Sequence, residues 1–164
     1  MKKETAMSLY MQQHVFTWGD KFSIYDDGGN EKYFVKGAVF SFGKKLHLYD
    51  RAGVELAYIE QKIFTFLPKY YINRSGRGTV EVVKEFTFFT PKYSVNPLGW
   101  TVYGDFFSHE YEVECGGQTV ASVSKEWFSF GDAYAIRFGA GVDEVTALAV
   151  VLVIDACIDA QERN

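Results

Sequence analysis

The chain has 164 residues, 48% of them hydrophobic and 18% aromatic, with a formal net charge of −4. This length points to one domain, residues 1–164, and the apolar share is large enough to fill a sizeable core. The negative balance argues against a polycation built for nucleic acid, so no nucleic-acid partner is expected.

At the start, Lys2 and Lys3 precede "ETAMSLYMQQ", which lacks the apolar run of a signal peptide, and position 2 is not the glycine that myristoylation needs. Cys115 and Cys157 read as free thiols of a reducing compartment. The expectation is a cytoplasmic protein, peripheral at the membrane if it meets lipid.

From there the signal is β. "KFSIYD" alternates Phe22 and Ile24 with Lys21 and Ser23, "DGGN" supplies turn residues, and "EKYFVK" returns, which is a hairpin signature. "KLHLYD", "RAG" and "VELAYIEQK" repeat the plan, with Leu46 and Leu48 on one face and His47 on the other. "TVEVVKEFTFF" reads as one strand placing Val80, Val82, Phe86 and Phe88 together, with Lys84 marking a bulge or an edge. "WTVYGD", "EYEVEC", "QTVASVSKEW" and "AYAIRF" follow, the second and third joined by Gly116-Gly117. Strands are thus expected over about 7–138.

The last element is "VTALAVVLVIDACI", Val145 to Ile158. Read at about 100° per residue it is apolar on every side, which requires burial in a core or in lipid. Crossing a bilayer takes roughly 20 apolar residues, and this run is shorter and contains Asp155. A buried helix over about 143–160 is predicted, with Asp143 as its N-cap. Gly139 and Gly141 break the chain before it, and Asp155 and Asp159 are expected to emerge at its exit. No transmembrane segment is predicted.

Many antiparallel strands joined by tight turns favour a sandwich or a barrel, and only a barrel has room for a helix apolar all round. The predicted fold is mainly β: a single closed antiparallel barrel of about twelve strands surrounding a buried hydrophobic C-terminal α-helix.

Several stretches together also resemble the LURP-one-related family. They are "LYDRAGVELAYIEQK", "LPKYYI", "WTVYGDFFSHEYEV", "VASVSKEWFSFGDAYAIRF" and "ALAVVLVIDACID", in order from about Leu9 to Asp159. That family is grouped with the tubby-like C-terminal fold and the phospholipid scramblases. The resemblance implies a barrel threaded by a hydrophobic helix. Tubby proteins bind phosphoinositide head groups through basic side chains and scramblases are associated with lipid movement, but no position here matches a tubby lipid-binding motif residue by residue.

Charge is polarised along the chain. Residues 61–100 carry six basic side chains against two acids, whereas residues 101–164 carry three against eleven. Lys69, Arg74, Arg77, Lys84 and Lys92 are the candidate ligand-binding residues. In "NRSGRGT" two guanidinium groups and turn N–H groups could converge on a phosphate, although solvated turn residues balancing acids elsewhere would look the same.

The case for an enzyme is weaker, and no catalytic residue, cofactor or metal is expected. His14, His47 and His109 have no metal-site spacing, and nucleophile, phosphate-loop and dinucleotide motifs are missing from the sequence. Asp105, His109 and Glu110 in "GDFFSHEYE" leave a hydrolase as a remote alternative. Phe86, Phe88, Phe89, Tyr93 and Trp100 form the densest aromatic cluster, and their expected place is between barrel wall and helix rather than against stacked bases. The expectation is a non-enzymatic module binding anionic phospholipid head groups or another phosphate ligand. The alternative is a protein-interaction or scaffolding domain with an unidentified protein partner.

Overall fold

The computed structural model describes residues 7–12, 21–38, 42–128 and 131–164; His14 and Trp18 lie outside them. The strands are β1 (Ser8–Gln12), β2 (Lys21–Tyr25), β3 (Glu31–Gly37), β4 (Lys45–Asp50), β5 (Glu55–Gln61), β6 (Lys69–Arg74), β7 (Gly78–Lys84), β8 (Lys92–Asn96), β9 (Trp100–Asp105), β10 (Glu110–Cys115), β11 (Gln118–Phe128) and β12 (Gly131–Phe138). One helix, α1 (Glu144–Glu162), follows. Each strand pairs antiparallel with the next, and β1 closes on β12 through Ser8↔Arg137 to Gln12↔Ala133, giving a closed barrel of twelve strands.

Alternation decides which side chains point inward. Phe22 and Ile24, Leu46 and Leu48, and Val80 and Val82 are buried, as their period predicts, and converge on α1. All residues of the helix from Thr146 to Ile158 are buried, so the greasy segment is the filling of the barrel. Among the described residues no helix is long and apolar enough to cross a membrane.

The passage from wall to core is made by glycine. Gly139 donates its N–H to the Val120 carbonyl at 2.9 Å, and a Cβ at that position would run into the Thr119 carbonyl. Gly141 takes a left-handed φ of 70°, which glycine adopts without a steric penalty. Asp143 then caps α1, accepting from the Thr146 N–H at 3.5 Å and from its hydroxyl.

Two expectations are corrected. β7 ends at Lys84 instead of running through Phe88, so Phe86, Phe88 and Phe89 leave the sheet and stand in solvent, while Tyr93 is buried and Trp100 packs partly against the core. The alternating pattern continues past the residue where pairing stops, because β8 begins only at Lys92. Asp155 does not emerge: it is buried, and His109 of the turn between β9 and β10 comes within 3.7 Å of it.

Candidate functional site

In a barrel whose strands run up and down in sequence order, connections alternate between two ends. Here the ends differ in character. The connections after even strands, including residues 51–54, 75–77, 97–99 and 116–117, are short and rich in glycine. Those after odd strands include the longer segments 62–68 and 85–91 and the turn 106–109. The first is the turn end and the second the loop end. α1 enters at the turn end and points its C-terminus to the loop end, where Lys44 meets Asp159 at 2.7 Å.

The five predicted site residues are divided between these ends. Arg74 closes β6 and Arg77 lies in the next turn, so both are at the turn end. Lys69 opens β6, Lys84 closes β7 and Lys92 opens β8, so these three share the loop end. Five residue steps of strand, roughly 17 Å, separate Lys69 from Arg74.

At the turn end the arginines hold the helix. Arg77 hydrogen-bonds Asp143, and Arg74 donates to the Thr146 hydroxyl at 3.3 Å and to the Arg77 carbonyl at 2.7 Å. Burial would raise the Asp143 carboxyl pKa, but hydrogen bonds from Arg77 and Thr146 outweigh it and hold the group below its ordinary value. Two of the turn N–H groups that could cradle a phosphate are occupied: Ser75 donates to the Leu56 carbonyl and Arg77 to the Arg74 carbonyl. A cavity of about 280 Å³ beside Arg74 is also lined by Glu55, whose charge opposes an anion.

At the loop end the lysines come together on neighbouring strands. Lys69 lies opposite Val83, the residue before Lys84, and Lys84 lies opposite Tyr93, the residue after Lys92. Lys62, in the β5–β6 connection, adds an exposed fourth charge that sequence reasoning had not included. Nearby acids are engaged, Glu81 with Lys69 at 3.4 Å and Glu85 with the Ser94 hydroxyl. Around these charges stand exposed phenylalanines: Phe64 and Phe66 from one connection, Phe86, Phe88 and Phe89 from another, and Phe107 from a third.

The residues considered for acid–base chemistry are used structurally. Asp105 accepts from the Ser108 N–H at 3.1 Å and from its hydroxyl at 2.7 Å, which pins the 106–109 turn. Glu110 accepts from the Lys125 N–H. His109 is buried, stacks on Tyr134 with ring centroids 4.4 Å apart, and places Nδ1 3.7 Å from Asp155 Oδ1. Burial, reinforced by the charges of Asp159 and Glu162 and opposed by Lys44, pushes the Asp155 carboxyl up to about 7.

The cysteines lie toward opposite ends, Cys157 in the C-terminal half of α1 and Cys115 at the turn-end close of β10. Cys157 is buried beside Tyr93 and Tyr70, and burial raises its thiol to about 12, the nearby Tyr93 hydroxyl acting in the opposite direction. Cys115 is half-buried, with Sγ 3.8 Å from the Leu98 carbonyl. Both are free thiols, and no group of three or more metal-ligating side chains occurs among the described residues.

Comparison with known proteins places this architecture. A family model described as LURP-one-related matches residues 7–155. A Bacillus subtilis protein named "Uncharacterized protein YxjI" is 36% identical over 149 residues, covering 91% of this chain and 92% of that one. A protein from Arabidopsis thaliana solved by X-ray crystallography superposes with a TM-score of 0.68 at 18% identity, over 92% of this chain and 90% of that one, which shows a shared fold.

Proposed function

The chain belongs to the LURP-one-related family, and within that fold we propose that it is a non-enzymatic binding module whose loop end docks on anionic phospholipid head groups. The observation that carries this reading is the convergence of Lys62, Lys69, Lys84 and Lys92 on one end of the barrel, at the edges of three adjacent strands. Glu81 pairs with Lys69 and Glu85 accepts from the Ser94 hydroxyl, so the excess positive charge of this face rests on Lys62, Lys84 and Lys92.

Each lysine near an anionic leaflet contributes about 1 kcal/mol. With Lys69 paired to Glu81, the other three give up to about 3 kcal/mol, roughly a hundredfold partitioning toward the surface. That is a reversible, peripheral interaction, weakened by salt because exposed charges are screened over about 10 Å at 0.1 M. Phosphoinositides, with more charge per head group, are the stronger ligands on the same chemistry.

The test is vesicle flotation with neutral, phosphatidylserine and phosphoinositide membranes at low and physiological salt, beside Lys62→Glu/Lys84→Glu/Lys92→Glu. Binding confined to anionic vesicles, weakened by salt and lost in the triple variant, is expected. Equal binding to neutral membranes, or an unaffected triple variant, would remove the lysines from the account. A specific soluble protein partner with no vesicle binding would favour the interaction-domain reading, for which the exposed rings would be the contact surface.

A further inference from the structure

The two longest described connections at the loop end carry nearly the same string. Residues 64–70 read Phe-Thr-Phe-Leu-Pro-Lys-Tyr and residues 86–93 read Phe-Thr-Phe-Phe-Thr-Pro-Lys-Tyr. The structure gives the copies equivalent roles: Tyr70 and Tyr93 are buried against the helix, Lys69 and Lys92 open their strands at the rim, and the phenylalanines project. Phe64, Phe66, Phe88 and Phe89 are 99%, 94%, 86% and 98% exposed. Isolated exposed apolar residues are ordinary, but a rimmed group of this kind marks an interaction surface.

We infer that these phenylalanines insert into the interfacial layer of an anionic bilayer, so that the barrel stands on the membrane with the C-terminal end of α1 directed toward it. This rests on the lipid-docking reading and adds to it the group that enters the membrane and the orientation that follows. Phe64, Phe66, Phe86, Phe88, Phe89 and Phe107 all project from connections at one end of a closed barrel and therefore share one rim. The lysines flank the two aromatic runs, Lys62 and Lys69 the first and Lys84 and Lys92 the second, so the rim offers apolar depth and cationic charge at the same end. Peripheral anchoring works well with two such signals, an apolar insertion and a basic patch, where either alone is weak.

Charge decides between occupants. A second copy seated rim to rim would bring Lys62, Lys84 and Lys92 toward their counterparts, whereas an anionic leaflet attracts them. The loops are also held in shape at their bases. The backbone N–H of Lys62 donates to the Lys69 carbonyl at 2.8 Å, that of Lys84 to the Pro68 carbonyl at 3.0 Å and that of Glu85 to the Lys92 carbonyl at 2.8 Å. Phe64 keeps a left-handed φ of 58°, uncommon for a bulky side chain, while its ring stands in solvent. Strained conformations of this kind cluster where a surface serves a ligand.

Phe64→Trp and Phe88→Trp, made separately, would be bound to phosphatidylserine vesicles whose acyl chains carry bromine, beside Phe64→Ser/Phe66→Ser/Phe88→Ser/Phe89→Ser. Bromine quenching of the added fluorescence, measured against the unsubstituted chain, is expected. So is a fall in the partition coefficient of the serine variant by roughly tenfold or more, with its thermal midpoint unchanged. If the tryptophans stay accessible to aqueous iodide on the vesicle and the serine variant binds as tightly, insertion is wrong and head-group docking stands. If the parent protein binds no vesicle, both readings fall. A dimer of the parent that the serine variant cannot form would assign the rings to a second copy.

Discussion

The assignment of Arg74 and Arg77 to the helix latch can be tested by Asp143→Ala. The substitution removes the N-cap of α1, a loss of about 1 kcal/mol. It also strips the carboxylate from Arg77; since that guanidinium is about half exposed, the pair adds only about 0.5–1 kcal/mol after solvent screening. Together the change costs about 2 kcal/mol, and at about 2–4 °C per kcal/mol for a domain of this size the thermal midpoint should fall by about 4–8 °C. Arg74→Glu/Arg77→Glu should fall further, because two carboxylates would then face Asp143 and the Glu144 of the first helical turn. The sign with pH is fixed by the depressed Asp143 pKa. The contribution is complete above the ordinary value of 3.8 and is lost as pH falls through the lower folded value. Circular dichroism melts of Asp143→Ala, Arg77→Ala and the double variant form a cycle whose coupling energy measures the latch. Arginine variants that melt like the parent yet lose anion binding would refute the latch and return these residues to the ligand site.

Leu152 is fully enclosed by the barrel, so Leu152→Asp buries an unpaired charge costing several kcal/mol against a total of about 5–15; the variant should yield no cooperative unfolding transition, and a folded, well-dispersed spectrum would contradict the core position of α1. Asp155, raised to about 7 in the fold from 3.8 in the free chain, contributes against stability as the pH climbs through that interval, since the folded state then holds the extra proton. Asp155→Asn should therefore melt above the parent at pH 8, with the advantage shrinking toward pH 5; a constant difference across that range would sink the assignment. A thiol reagent should label Cys115 in the native protein and reach Cys157 only after denaturation, because the latter is buried with its thiolate suppressed; two thiols reacting at once in native buffer would show that the helix end is open.

The barrel was legible because its devices are local. Gly28-Gly29 and Gly116-Gly117 at turns, alternation in "KLHLYD", and a helix with no polar face behind an Asp cap each point to one arrangement, and they agree. The site was less legible because charge counted along a sequence does not register which end of a strand a residue occupies. Arg74 and Lys69 belong to the same strand, yet one serves the helix and the other faces the loop end. The aromatic rim was misread for a related reason: Val80, Val82, Phe86 and Phe88 keep a period of two, and only the broken step at Lys84 and the proline at 91 signal that the chain has left the sheet. Proline biases the residue before it toward extended conformations and donates no N–H. The recurrence of Pro-Lys-Tyr after each aromatic run is the signal that could have revealed the rim.

The order of the elements sets a schedule for biosynthesis. β1 meets its partner β12 more than a hundred residues later, and α1, which fills the lumen, follows β12. A ribosome therefore releases the lining of the barrel long before its stopper. Until the helix emerges, the inward-facing valines, isoleucines and tyrosines have nothing to pack on, and unpaired strand edges of β1 stay open; such states are the aggregation-prone ones. Closure depends on contacts of long sequence separation, which slow folding. A nascent-chain chaperone should therefore be held longest by transcripts truncated between β12 and α1, and released when the codons for the helix are restored.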